Sequence, residues 1–344
     1  TNLPEHPLKG QVNAFLHQRP FQRVDLPALV SSLTLMPQRW QATHRICDPD
    51  SGHASAASVL YSSEGQYEAD YAHLCQLCDF FHVPPPPRGS TFFTTDLGGA
   101  CKLRWERHTE AQTYTFTRSP TAEESAQPFS ASSVAVSVIP SGWLASLPGL
   151  TLASVHVAML DAPPSDFAAI MQHFHREAVV TGCSVDHGRF RVYSDWRTHA
   201  DGFGRMIVHG MPVDVPNKRT AASKVLQRMI ELDKYRCLAL LGLPYAQKLT
   251  PQIDGLDAQL MAVTTAFGSS DRVWTQDELS TQRELLDQLC ALSAESMRLH
   301  TSSSFRFAAS SAYSQIVDDR IAFLQMERVD GLPSMSAFIA GALH

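Results

Sequence analysis

No apolar run in this sequence approaches the roughly 20 residues that a membrane-crossing helix needs. The richest stretch, Cys237 to Leu243, is far too short. The opening, Thr1 to Pro20, carries charges throughout and has no apolar core of the kind a secretion leader requires. Basic residues are not in excess: 28 Lys and Arg stand against 34 Asp and Glu, for a net charge of -6. That balance gives no electrostatic reason to expect a nucleic-acid partner. Also missing are a Gly-rich phosphate loop, a G-x-S-x-G elbow and an H-E-x-x-H helix, so no familiar nucleotide, acyl-transfer or zinc-peptidase chemistry announces itself. Cysteine is too sparse and uneven for a disulfide framework. The seven present are scattered, which argues for reduced thiols and a cytosolic-type compartment. Cys75 and Cys78 form one C-x-x-C, but it lies inside a helical pattern with Tyr67, Tyr71, Leu74 and Phe81. No second pair completes a zinc site, so both thiols are expected to pack as unpaired, inert core.

What is present is enough chain for two sizeable cores, 344 residues with 44% hydrophobic content. Leu29 to Met36 alternates like a strand. Ser63 to Phe81 reads as a long helix closed by the proline run Pro84 to Pro87. Short helical and turn signals stand at Pro4 to Gln18 and Asp48 to Gly52. Thr91 to Asp96 is a strand. Leu150 to Leu160 is apolar on both alternations and should lie centrally in a sheet. Val179 to Val185 and Phe190 to Trp196 are strands across the turn Asp186-His-Gly188, and Phe203 to His209 is another. Between them, Ser119 to Ser133 has the Ser, Ala and Pro content of a mobile loop, and Pro164 to His175 begins like a helix.

After Pro216 the period changes from two to between three and four. Asn217 to Gly242 is helical, with Pro244 as a breaker. Thr250-Pro251 looks like a fresh N-cap, and Thr275-Gln-Asp-Glu278 is a capping box. Leucines from Leu279 to Leu299, then a stripe from Phe305 to Leu324, continue the pattern until Gly331 and Pro333, and Ser334 to Leu343 starts a last helix. The expected architecture is therefore α+β: a mixed α/β domain over residues 1–215, then an all-helical bundle or stalk over 216–344.

The densest run of ionisable groups lies between Gly98 and Phe116. Strand alternation turns Cys101, Leu103 and Trp105 to one side, and Lys102, Arg104, Glu106, His108 and Glu110 to the other. Tyr114 and Phe116 rejoin the apolar side. Glu106, His108 and Glu110, joined by His199 and Asp201 from a second turn, have the residue types for a metal or for acid–base work. These five are the candidate catalytic residues, and a metal-assisted hydrolase is the enzyme reading. The plainer expectation is a solvated strand face with cross-strand ion pairs, and an Asx turn at Asp201.

Several segments taken together resemble the domain-of-unknown-function family 3422. They are Pro4-Glu-His-Pro-Leu8, His17-Gln-Arg-Pro-Phe21, Asp96-Leu-Gly-Gly99, Trp105-Glu-Arg-His-Thr-Glu110 with Tyr114-Thr-Phe116, His199-Ala-Asp-Gly-Phe203, and Tyr235-Arg236 with Leu240-Leu-Gly-Leu-Pro244. The resemblance implies an uncharacterised bacterial protein anchored in a membrane by a segment beyond this chain, and it brings no cofactor or catalytic residue. A start without Met and an end inside a predicted helix fit a piece of such a protein. The reading that follows is a non-enzymatic sensing or assembly domain, a homo-oligomer on the cytoplasmic side of the bacterial inner membrane, with no nucleic-acid partner.

Overall fold

A computed structural model describes residues 21–37, 63–99, 101–163, 166–212, 217–268 and 276–343. The segments expected at Pro4 to Gln18 and Asp48 to Gly52 lie outside these residues, as does Thr275 of the capping box. Among the described residues a single nine-stranded sheet has the order β2-β3-β4-β1-β5-β8-β7-β6-β9. Its strands are β1 (Ala28–Met36), β2 (Phe92–Asp96), β3 (Lys102–Arg107), β4 (Gln112–Arg118), β5 (Leu150–Leu160), β6 (Thr181–Val185), β7 (Phe190–Ser194), β8 (Gly204–Gly210) and β9 (Glu327–Arg328). Only the β5–β8 pair is parallel; the other neighbours are antiparallel. β1 and β5 form the centre, and every residue of β1 is buried, its polar Ser31, Ser32 and Thr34 included.

One face is closed by short elements. Helix α1 (Ser63–Phe80) packs Leu74, Leu77 and Cys78 onto Leu33, Leu35, Leu103, Trp105, Tyr114 and Phe116, and Trp143 of α3 (Ser141–Ala145) completes this cluster. Both Cys75 and Cys78 are free thiols. The segment expected as a mobile loop is ordered instead. Thr121 and Glu124 make a reciprocal capping box at the start of α2 (Ala122–Ala126). Arg118 grips the Glu124 carboxylate at 2.7 and 3.0 Å, and Phe129 and Ser133 are buried. The helix expected from Pro164 shrinks to α4 (Ala168–Met171).

The other face carries the long helices. α5 (Lys218–Leu240), the C-terminal part of α7 (Gln276–Leu324) and α8 (Met335–Leu343) share one core with β5 to β8. The region after residue 216 is thus helical, yet it packs into the sheet and returns β9 to its edge. α6 (Gly242–Gly268) follows α5 almost directly, with Pro244 in its first turn. It does not restart at Thr250-Pro251. Pro251 sits in its interior on an exposed face, where the carbonyl it leaves without a donor meets water, and Thr250 Oγ1 donates back to the Ala246 carbonyl at 2.8 Å. The two leucine- and phenylalanine-rich stripes after residue 276 are likewise one 49-residue helix, roughly 74 Å long at 1.5 Å per residue.

Candidate functional site

The half of the long-helix face that lies over β1, β4 and β3 is polar. Ser32 and Thr34 on β1 register with Thr115 and Thr113 on β4, and these register with Arg104 and Glu106 on β3. Hydroxyl pairs link the first two strands at 3.2 and 3.3 Å. All four hydroxyl residues and Arg104 are buried. The expected solvated strand face is therefore a buried polar face. The alternation is the same in both cases, and only long-range packing distinguishes them. Arg104 donates to Glu106 at 3.0 Å and lies over the Phe92 ring. Burial opposes ionisation of Glu106, but Arg104, with Lys234 and His108, outweighs it and holds the carboxyl below its ordinary range.

Two helices reach this face with charged side chains. Lys234 of α5, itself 3% exposed, places Nζ 3.3 Å from His108 Nε2 and lies over the Tyr235 ring. Arg306 of α7 donates to both oxygens of Glu110 at 2.8 and 2.9 Å, and Tyr313 donates to the same carboxylate at 3.1 Å. Tyr313 stacks on Tyr235, and burial together with Glu110 pushes its phenol well above the usual range. The β3–β4 turn is thus tied to α5 through His108 and to α7 through Glu110. Beside it opens a cavity of about 450 Å³, lined by Thr91, Arg107, His108, Thr109, Tyr235 and Tyr313 among others.

The opposite side of the hairpin is pinned by Asp70 of α1. Trp105 donates its indole N–H to Gln112 Oε1 at 2.9 Å, and Gln112 and Gln66 both donate to Asp70 Oδ1 at 2.7 Å. Arg107 donates to Asp70 Oδ2 at 3.3 Å. Burial raises the Asp70 pKa despite these donors.

His199 and Asp201 belong to the β7–β8 connection and do not join Glu106, His108 and Glu110. Asp201 faces His156, whose Nδ1 is 2.8 Å from Ser31 Oγ. Ser31 is the β1 neighbour of Ser32 and so points to the other side of the sheet, the side opposite Glu106. Asp201 Oδ1 accepts the Phe203 N–H at 3.0 Å, an Asx turn, while Phe203 stacks on His156. His199 Nε2 bonds buried Asp195 at 3.0 Å, and Asp195 also takes the His175 and Arg197 backbone N–H groups. The order Ser31–His156–Asp201 has the residue types of a hydrolytic triad. Ser31 is 0% exposed, however, and the His156–Asp201 separation of 3.8 Å exceeds a hydrogen bond. Burial drives His156 down to about 4, against the pull of Asp201, so the ring is neutral. Among the described residues no three His, Cys, Asp or Glu groups are placed to hold a metal ion.

Sequence reading missed Lys234 and Arg306. The signal for Arg306 was an interruption: Ser303, Arg306 and Ser310 stand between Leu299 and Val317 on positions that otherwise face inward. His156 and Ser31 interrupted the central strands in the same way.

A family model described as "Protein of unknown function (DUF3422)" matches residues 4–343. No curated protein and no solved structure matches the chain. The membrane anchor implied by the resemblance has no counterpart in the described residues, where no helix is long and apolar enough to cross a membrane.

Proposed function

The chain belongs to the DUF3422 family, and from that premise we propose a non-enzymatic sensing and assembly domain, in which the α/β body carries a helical arm that joins copies of the same chain. The observation that carries this reading is the arm itself, α6 paired with the outer part of α7. Its one internal seam buries residues such as Leu249, Val263 and Leu299. Beside that seam on α6 it leaves Ile253, Leu260 and Phe267, and away from it on α7 Leu279, Leu286 and Met297, between 43% and 64% exposed. Monomeric soluble proteins seldom leave extended apolar patches open to water. A helix pair with one buried seam and a second apolar stripe has the pattern of a bundle lacking its other half.

The sensing part rests on the foot of the arm. Arg306 and Tyr313 fasten α7 to Glu110, and the adjoining cavity is large enough for a small molecule. A ligand held between His108 and Tyr313 would act on the contact that sets the arm's position. The resemblance to membrane-anchored proteins adds that such an assembly sits at the cytoplasmic face of a bacterial inner membrane, which fractionation of the native protein tests. Assembly is tested by light scattering on size-separated protein over a range of concentrations. The expected mass is a multiple of that of one chain; a monomer throughout the micromolar range contradicts the proposal.

A further inference from the structure

Resting on the sensing reading, we infer that the cavity beside the β3–β4 turn binds a small organic anion: a carboxylate or phosphate carried on a flat, apolar body.

The two parts of that ligand follow from the two parts of the wall. The cavity's volume of about 450 Å³ falls within the roughly 300–1,000 Å³ of small-molecule sites. From the turn, Arg107 and His108 line it, and among the described residues no carboxylate does. From α5 and α7 come Tyr235, Leu238, Tyr313 and Ile316. The two tyrosine rings stack with centroids 5.7 Å apart and planes at 25°. The helices therefore supply an apolar, aromatic surface suited to a planar group.

The carboxylates nearest this wall are already committed. Asp70 accepts from Gln66, Gln112 and Arg107, and Glu110 accepts from Arg306 and Tyr313. A cationic ligand would have to displace an arginine to reach either of them. An anion meets the opposite arrangement. Arg107 is fixed before a ligand arrives, with Nε on Asp70 Oδ2 at 3.3 Å and the guanidinium over the Tyr67 ring at 5.1 Å. His108 Nε2 lies 3.3 Å from Lys234 Nζ and must accept, because an ammonium only donates. The ring is then neutral and keeps its proton on Nδ1, so this side chain also offers a donor. Lys234, 3% exposed, sets a positive charge directly behind it. Charge-assisted hydrogen bonds to a carboxylate or phosphate are among the strongest such a wall can form. A ligand seated here touches the turn on one side and Tyr313 on the other, across the contact that fastens α7.

Calorimetric titration of the full chain tests the assignment, with phenylacetate and phenyl phosphate as probes. Phenylacetamide and phenethylamine keep the ring and replace the anion; acetate and inorganic phosphate keep the anion and lack the ring. One or both aromatic acids should bind at least about tenfold more tightly than phenylacetamide, and the tighter of the two identifies the anion. Arg107→Gln should weaken that binding by at least as much. Thr109→Trp, at an exposed turn residue that lines the cavity, should abolish it by filling the space while circular dichroism is unchanged. Binding of the amide or the amine as tight as that of the acids overturns the anion assignment and leaves the sensing reading standing. Acid binding that survives both variants, or no acid binding at millimolar concentration, overturns the site. Acid binding that leaves hydrogen exchange around Arg306 and Tyr313 unchanged keeps the site and contradicts the sensing reading.

Discussion

Trp105 shows how much one residue of the hairpin carries. It is 0% exposed, packs with Tyr114 and Leu103, and donates to Gln112 within the Asp70 network. Trp105→Ala removes a large buried side chain and orphans the Gln112 acceptor, so it should destabilise the chain by about 3–5 kcal/mol in urea unfolding. An unchanged midpoint would place the indole outside the core. Arg306→Ala acts on the other face. It leaves half-buried Glu110 with Tyr313 alone, and breaking a buried pair from one side costs about 3–5 kcal/mol. Among the described residues Arg306 Nε and Nη1 have no hydrogen-bond partner, which places this variant at the lower end of that range. The direction of these side chains was legible from strand alternation. Their burial was not, because a polar stripe covered by helices and one covered by water have the same alternation.

Acid should weaken the protein through its histidines. Burial lowers His156 and His209 to about 4, against an ordinary value of 6.5. Such a ring binds its proton more weakly folded than unfolded. Its contribution is complete above pH 6.5 and is lost as the pH falls toward 4. By pH 5.5 each should cost about 1.4 kcal/mol relative to pH 7.5. Urea midpoints at those two values check this, in a window above the ordinary carboxylate range. No loss between them would mean that both rings already reach solvent.

At the scale of elements, the strands were the easiest to recognise. β1 is buried along its whole length and β5 from Val155 to Met159, and the apolar residues of β5 on both alternations announced its central place. The errors came where local chemistry competes with context. The Ser- and Pro-rich segment after Arg118 is held by a capping box and an ion pair that composition alone does not weigh. Thr250-Pro251 has the residue types of an N-cap but lies within α6, because its exposed side lets water take the carbonyl that proline leaves open. This position yields a prediction. Replacing Pro251 by Ala restores a helical donor and should stabilise the arm by up to about 3 kcal/mol. Hydrogen exchange of the α6 amides should slow around residue 251; faster exchange there would mean that the proline relieves strain in the helix.

At the scale of the molecule, the division into an α/β part and a helical part was legible from the change of period near residue 216. That the helices fold back onto the sheet was not, since amphipathic stripes do not name the surface they cover. The candidate residues divide accordingly. His108 and Glu110 fasten the hairpin to α5 and α7 and Glu106 pairs with Arg104 on its own strand, while His199 and Asp201 brace the other face with Asp195 and His156. The arm leaves apolar side chains open to a partner. The central claim is that the arm's apolar stripes are covered by another copy of the chain, and the solution mass of the wild type beside the Leu260→Asp, Leu286→Asp variant tests it most directly. The account predicts an assembly for the first and a folded monomer for the second at equal concentration. A wild type with the mass of a single chain at every concentration would contradict it.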